Sequence, residues 1–284
     1  MATPRLIGAH VSAQGGIANA PKRAADIGCN YVQIFSDSPR VWQRRMVTDE
    51  NCALFVKNCE DNGILGNVIH ALYLNNLASD KPELVEKSIM SLAFDLQLAP
   101  KIKSTGVVVH VGSYSKRDWN SCSDQVVKNM ATLLEQSPDD SVFLIENSAG
   151  QGGKVGSDLR EIKTMIDQLQ AGKRVGVCID SCHAFAAGYS LVPMEGEKLL
   201  YDWLEQLNLV EHLRVLHVND SRDEYFSHKD RHANINDGQI GTESLAHFVN
   251  HPMFANLPIV LEVPGIEGEG PDQENINRLK ALLT

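Results

Sequence analysis

The sequence predicts a single α/β domain folded as a (β/α)8, or TIM, barrel with its active site at the C-terminal ends of the strands. Apolar runs alternate with amphipathic stretches, six of these runs end in a residue type that binds metal, and the six ends are 34 to 45 residues apart. That spacing is close to one strand plus one helix, and about 250 residues suffice for eight such units. A chain of 284 residues therefore has room for one barrel domain over residues 1–284.

Eight near-continuous apolar runs are the predicted strands, as expected for parallel strands covered on both faces. They are Leu6–Val11, Tyr31–Phe35, Asn67–His70, Val107–His110, Phe143–Glu146, Val177–Asp180, Val215–His217 and Val260–Glu262. Because the C-terminal ends of parallel strands meet at one mouth of a barrel, the six metal-binding residue types at these ends are expected to converge. The sequence therefore predicts a metal centre with several ions at this mouth.

Amphipathic stretches between the runs predict helices on the outside of the barrel. They cover Ile17–Ile27, Asn51–Gly63, Pro82–Thr105, Ser123–Gln136, Ser157–Ala171, Gly196–Leu207 and Thr242–Asn250. This alternation favours a closed barrel over an open sheet. Long polar loops follow several strands, and in such barrels the loops after the strands carry function.

Composition indicates a globular protein, and we expect it to be cytoplasmic and not to bind membranes. Hydrophobic residues make up 43% of the chain, and no run reaches the ~18 apolar residues of a membrane span. The six cysteines include no Cys-x-x-Cys pair and are expected to be reduced and mostly buried. A formal charge of −10 argues against nucleic acid, but three divalent ions would bring it to −4 and concentrate positive charge at the site.

Three further potential ligands lie in the loops after the sixth and seventh predicted strands, namely His183, Asp230 and His232. The full candidate set is His70, His110, Glu146, Asp180, His183, His217, Asp230, His232 and Glu262. Five imidazoles and four carboxylates suit zinc, although such nitrogen–oxygen sites also accept Mn²⁺ or Fe²⁺. Nine ligands exceed the needs of one ion, so two or three ions are implied, with a carboxylate bridging two of them.

Other residues near the predicted mouth carry weaker signals. His10 ends the first strand and is expected either beside the ligands or in a structural role. Cys178 and Cys182 lie close to candidate ligands and are secondary candidates for zinc. The glycine-rich segment Gly150–Gly156 either cradles phosphate or forms a mobile loop.

Clustered divalent ions suit phosphodiester hydrolysis, because they acidify water and neutralise the oxygens of the reacting phosphate.

Five segments resemble the signatures of endonuclease IV, the zinc-dependent apurinic/apyrimidinic (AP) endonuclease family of base-excision repair. They are Gly8–Ser12, Glu146–Gly152, Asp180–Tyr189, Leu216–Asp220 and Lys229–His232. The resemblance extends from Leu6 to about Pro264, which is nearly the whole chain.

This resemblance implies three zinc ions and distributes the nine candidate ligands among them. His70, His110 and Glu146 would hold the first, Glu146 would bridge to a second completed by Asp180, His217 and Glu262, and His183, Asp230 and His232 would hold the third. Glu146, Asp180 and Glu262 are the residues expected to act in catalysis. The implied reaction is hydrolysis of the phosphodiester 5′ to an abasic site in double-stranded DNA, leaving a 3′-hydroxyl and a 5′-deoxyribose phosphate. Trimming of blocked 3′ ends would be a second activity.

The resemblance also implies that Arg40, Tyr73 and Leu74 push into the DNA at the damaged site. Wedging side chains must unstack bases, and an abasic site is already poorly stacked. Ordinary packing at the barrel rim is the alternative for Tyr73 and Leu74. Three positions depart from the family pattern: Val111 stands where Pro is common, Val263 where Thr is common and Asn236 where Gly is usual.

Two other functions stay open at this point. A metal-dependent sugar isomerase or epimerase of related barrels would use fewer metals, and the extra cluster of His183, Asp230 and His232 argues against it. A zinc-bearing protein that binds DNA lesions without turnover is the second alternative, and it would be indicated by missing ligands, of which there are none. We expect a monomer.

Overall fold

The computed structural model describes residues 4–284 and contains a closed barrel of eight parallel strands. The strands are β1 (Ile7–His10), β2 (Tyr31–Phe35), β3 (Asn67–His70), β4 (Val107–Val109), β5 (Phe143–Glu146), β6 (Val175–Asp180), β7 (Leu213–His217) and β8 (Ile259–Leu261). Each pairs with its neighbours in the chain, and β8 pairs with β1 to close the barrel. The predicted fold class is confirmed, and the strand bounds differ from the predicted ones by at most two residues at an end.

Helices pack around this barrel in the order expected of alternating strands and helices. They are α1 (Ala20–Asp26), α2 (Asp49–Asp61), α3 (Pro82–Lys101), α4 (Ser123–Glu135), α5 (Leu159–Leu169), α6 (Ser181–Ala187), α7 (Leu200–Gln206), α8 (Gly241–Asn250) and α9 (Gln273–Leu282). The sequence does not predict α6 or α9. The helix predicted over Gly196–Leu207 begins only at Leu200, because residues 198–199 pair with residues 189–190 in a short ladder. No helix within residues 4–284 combines the length and the apolar character that crossing a membrane requires.

The alternation of side chains along the strands explains how the site is built. A cluster separate from the main core fills the inside of the barrel with Tyr31, Val68, Val108, Leu144, Cys178, Val215 and Val260. Because strand side chains alternate between two faces, the residue two positions further along each strand also points inside. With His10 from β1, these residues form what we call the polar ring: His10, Gln33, His70, His110, Glu146, Asp180, His217 and Glu262.

Gly8 holds the position in β1 two residues before His10, and its lack of a side chain is required there. A Cβ atom at Gly8 would lie 2.7 Å from the carbonyl oxygen of Tyr31 on the neighbouring strand. The close approach of β1 and β2 therefore depends on glycine, and it brings His10 beside the other members of the polar ring.

Candidate metal centre

The nine predicted ligands converge at the C-terminal mouth of the barrel in three groups. The first ligand group is His70, His110 and Glu146; the second is Glu146, Asp180, His217 and Glu262; the third is His183, Asp230 and His232. Within each group the candidate ligand atoms all lie within 4.8 Å of one another. Glu146 belongs to two groups, which is the position required of a bridging carboxylate. Their role as ligands stays a prediction.

In the first ligand group, the atoms that could bind a metal approach each other without forming hydrogen bonds. Oε2 of Glu146 lies 3.4 Å from Nε2 of His70 and 3.3 Å from Nε2 of His110. The Glu146 oxygen and the His70 nitrogen are buried and have no hydrogen-bond partner among the described residues. Buried polar atoms are normally paired, so this convergence indicates a place for a cation. Nδ1 of His70 donates to the carbonyl of Ala71 at 2.7 Å, which leaves the Nε2 lone pair free to bind.

In the second ligand group, Gln33 orients two of the candidate ligands. Its side-chain oxygen accepts a hydrogen bond from the N–H at Nε2 of His217, at 2.8 Å. Nδ1 of His217 therefore faces the carboxylates. That Nδ1 lies 3.0 Å from Oε1 of Glu146 and 3.3 Å from Oε2 of Glu262. The Gln33 amide nitrogen donates to the other Glu262 oxygen at 2.5 Å. Gln33 is fully buried, and the sequence analysis missed it.

Asp180 is fixed by two asparagines that the sequence analysis also missed. Asn219 donates from Nδ2 to Oδ2 of Asp180 at 2.6 Å, and Asn147 accepts the backbone N–H of Asp180 at 2.7 Å. Oδ1 of Asp180 accepts the backbone N–H of His183 at 2.8 Å and so caps the start of α6. Both asparagines follow closely after a strand that ends in a candidate ligand, and this is the signal that could have found them.

In the third ligand group, Oδ1 of Asp230 faces both imidazoles. It lies 2.9 Å from Nε2 of His183 and 3.5 Å from Nε2 of His232. The opposite ring nitrogen of each histidine donates to a backbone carbonyl, that of Asn147 for His183 at 3.0 Å and that of Glu262 for His232 at 3.2 Å. This is the arrangement by which proteins orient metal-binding imidazoles.

Opposite charges dominate the electrostatics of the site. Burial opposes charge on Glu146, yet His110 and His217 hold the pKa of its carboxyl well below the usual range. Burial likewise opposes charge on His183, yet Asp180 and Asp230 raise its pKa well above the usual range. Glu146 is therefore ionised at neutral pH, and binding of a metal to His183 would release the extra proton of its imidazole.

The six cysteines are free and buried, as predicted. Cys178 lies close to Glu146 and His217, and Cys182 lies close to Asp180. Burial raises the pKa of both thiols to about 12. Because the thiolate is the form that binds metal, the imidazoles and carboxylates are the better candidates.

The three residues predicted to contact DNA lie around the mouth. Arg40 and Tyr73 line a cavity of about 1090 Å³. Tyr73 and Leu74 line a second cavity of about 570 Å³, beside the third ligand group. The side chain of Tyr73 is 58% exposed although its ring lies only 5.2 Å from that of His70. These positions are compatible with contact to a ligand at the mouth, and the wedging role stays a prediction.

The structure also locates His10 and the three residues that depart from the family pattern. His10 lies beside the ligands, with Nδ1 3.0 Å from the Gln33 amide nitrogen and 3.5 Å from Oε1 of Glu262. Val111 and Val263 are buried apolar residues. Asn236 has a φ of 70°, in the left-handed region that favours glycine and that asparagine also tolerates.

The segment Gly150–Gly156 packs against the neighbouring loop. The backbone N–H of Val155 donates to the carbonyl of Gly112 at 2.9 Å, and that of Gly156 donates to the carboxylate of Glu161 at 2.7 Å. These two amides are therefore engaged within the protein and do not cradle phosphate. The ammonium group of Lys154, in the middle of the segment, lies 3.0 Å from Oδ2 of Asp230.

Comparison with known proteins agrees with the fold. The family described as xylose isomerase-like TIM barrel matches residues 21–282. A protein of Halothermothrix orenii named "Probable endonuclease 4" is 36% identical over 275 residues, which cover 96% of this chain and 99% of that protein. The crystal structure of endonuclease IV from Thermus thermophilus aligns with a TM-score of 0.82 at 34% identity and covers 98% of both chains. A D-tagatose 3-epimerase-like protein aligns with a TM-score of 0.72 at 17% identity, over 98% of this chain and 96% of that one, and shows the fold alone.

The closed barrel and the family match define a xylose isomerase-like TIM barrel. Within this class, the chain is 36% identical to the endonuclease 4 relative over nearly its full length, but only 17% identical to the D-tagatose 3-epimerase-like protein. The chain belongs to the endonuclease IV family.

Proposed function

We propose that this protein is a DNA-repair endonuclease that hydrolyses the phosphodiester 5′ to abasic sites in double-stranded DNA. It leaves a 3′-hydroxyl and a 5′-deoxyribose phosphate, and it trims blocked 3′ ends. The observation that carries the proposal is the convergence of three ligand groups at the barrel mouth of an endonuclease IV family member. The domain over residues 1–284 acts as a monomer.

The proposed cofactor is three Zn²⁺ ions, one for each ligand group, with Mn²⁺ or Fe²⁺ as substitutes. Mixed nitrogen and oxygen donors suit zinc. Nε2 of His232 resembles the first ligand group in being buried without a hydrogen-bond partner in the described part of the chain. Bound divalent ions would acidify a water molecule for attack and neutralise charge on the phosphate.

Glu146, Asp180 and Glu262 carry the negative charge that this cofactor needs, and the protein fixes their orientation. Glu146 offers one oxygen to each of two ligand groups. Gln33 fixes Glu262, and Asn219 fixes Asp180, through hydrogen bonds of 2.5 and 2.6 Å. Ligands fixed in this way would hold the ions without reorganisation during the reaction.

Recognition of the lesion is assigned to Arg40, Tyr73 and Leu74. Exposed apolar side chains at the mouth of a site are suited to insert between bases, and insertion costs least where a base is missing. Tyr73 has this character, since more than half of its side chain is exposed beside the first ligand group. A sugar isomerase would need neither an exposed wedge nor the third ligand group.

The proposal is tested by incubating the protein with a duplex that carries one tetrahydrofuran abasic analogue, with metal analysis of the same preparation. We expect one cut 5′ to the lesion, about three metal ions per chain and no cut in undamaged duplex. Tight binding to the lesion without a cut, at full metal content, would indicate the lesion-binding alternative. Turnover of a ketose or aldose without a cut would indicate the isomerase alternative.

A further inference from the structure

Lys154 is the one lysine or arginine, among the described residues, that lines the cavity beside the third ligand group. This cavity of about 570 Å³ also has Tyr73, Leu74 and Asp230 in its wall. Nζ of Lys154 lies 3.0 Å from Oδ2 of Asp230, and the lysine side chain is 28% exposed. A basic group therefore borders both the candidate metal site and the surface proposed to recognise the lesion.

The backbone of Lys154 is held so that its side chain points to this cavity. Residue 154 pairs with Ser113 in an antiparallel bridge, and its carbonyl accepts from the hydroxyl of Ser148 at 3.3 Å. The next residue, Val155, donates to the carbonyl of Gly112. The base of the side chain is fixed by these contacts, while its flexible stem lets the ammonium group move within the cavity.

The contact with Asp230 leaves the ammonium group with capacity for a second partner. Oδ1 of Asp230 faces the imidazoles of the third ligand group, and only Oδ2 faces Lys154. An ammonium group has three donors, and Asp230 is the side-chain partner that the structure records for this one. A partly exposed ion pair of this kind contributes little to stability, so stability does not explain the placement of Lys154.

We propose that Lys154 binds a phosphate oxygen of the DNA at the cleavage site. This inference rests on the proposed function, because it concerns the substrate of the same site. A phosphate that approaches the third ligand group comes within reach of the Lys154 side chain, since the ammonium group already contacts Asp230 of that group. A lysine contributes to such a site as a point charge and would add to the charge of bound metal ions.

The test compares Lys154→Met with wild type by the salt dependence of kcat/KM for the tetrahydrofuran duplex. One phosphate contact contributes about 0.9 to the slope of log affinity against log salt concentration, so the slope should become shallower by about that amount. At low salt, kcat/KM should fall about ten-fold or more through KM, as expected for one lost charge-assisted contact. Lys154→Arg should restore most of the slope. The metal content of both variants should equal that of wild type.

Lys173→Met is the matched control, because it removes the same charge from an exposed lysine before β6, at the opposite end of the barrel. An unchanged slope in Lys154→Met, or a slope change equal to that of Lys173→Met, would overturn the inference. Loss of metal in Lys154→Met with an unchanged slope would also overturn it and would assign Lys154 to the positioning of Asp230. Failure of the wild-type protein to cut the duplex would instead refute the proposed function itself.

Discussion

Replacement of Gln33 by alanine should weaken metal binding at the second ligand group while the barrel stays folded. Gln33 accepts from Nε2 of His217 at 2.8 Å and donates to Oε1 of Glu262 at 2.5 Å. Without Gln33, the His217 ring loses the partner that sets its tautomer, and Glu262 loses the donor that orients it. Partners of this kind outside the metal shell are typically worth 10- to 100-fold in metal affinity.

The expected size follows from the two hydrogen bonds. A hydrogen bond to a charged group contributes about 1.5–3 kcal/mol when both partners are buried. Water that enters the space left by the side chain would recover part of this, because the neighbouring atoms are polar. We therefore expect a loss of about 1.4–2.8 kcal/mol in zinc binding, which corresponds to a 10- to 100-fold weaker affinity.

The assay is titration of the metal-free protein with Zn²⁺ in competition with a chromophoric chelator at fixed pH. Asn67→Ala is the control, because Asn67 is also a buried amide but lies at the start of β3, at the opposite end of the barrel. Circular dichroism of both variants reports whether the fold is intact. Wild-type zinc affinity in Gln33→Ala would refute the reasoning, and so would an equal loss of affinity in Asn67→Ala.

Three further changes have defined outcomes. Glu146→Gln should abolish cleavage of the abasic duplex, because it removes the charge of the carboxylate shared by two ligand groups; substantial activity would refute that shared role. Tyr73→Ala should weaken binding to abasic duplex in a gel-shift assay at unchanged metal content, and loss of zinc would mark Tyr73 as structural. Glu161→Gln should stabilise the protein by about 2–3 kcal/mol more at pH 8 than at pH 5, as measured by urea unfolding. Burial raises the pKa of Glu161 to about 7, so the buried carboxyl is tolerated while it is protonated at low pH and destabilises the fold as it ionises with rising pH. An equal change in unfolding free energy at pH 5 and pH 8 would contradict this.

The division of the candidate ligands into three groups was implied by the resemblance to endonuclease IV. The fold and the convergence of the six ligands at strand ends were predictable from the chain itself, because the apolar runs and the distances between their ends indicate the same repeat. Apolar runs fix the strands, and the distance between their ends fixes the strand-plus-helix repeat, so the residues at those ends must meet at one mouth. The helix α6 was not predictable in this way, because it begins at Ser181 directly after β6 and is capped by Asp180, itself a candidate ligand. A strand that passes into a helix without a loop leaves no turn signal in the sequence. The helix α9 was missed although Ile276, Leu279 and Leu282 have helical spacing and are buried.

Gln33 was missed for a different reason, which lies in the geometry of the barrel. The prediction considered the last residue of each strand, and β2 ends in Phe35, which is apolar. In a barrel the strands are staggered, so members of one ring of side chains do not all stand at strand ends. The inward face of β2 carries Tyr31, Gln33 and Phe35, and its polar member stands in the middle of the run. Counting inward positions from the apolar interior, and not from the strand ends, identifies seven of the eight members of the polar ring, and His10 follows Gly8 of β1 by the same two positions. A polar residue on the inward face of an otherwise apolar strand therefore predicts a partner of the metal ligands, and the zinc affinity of Gln33→Ala tests this rule.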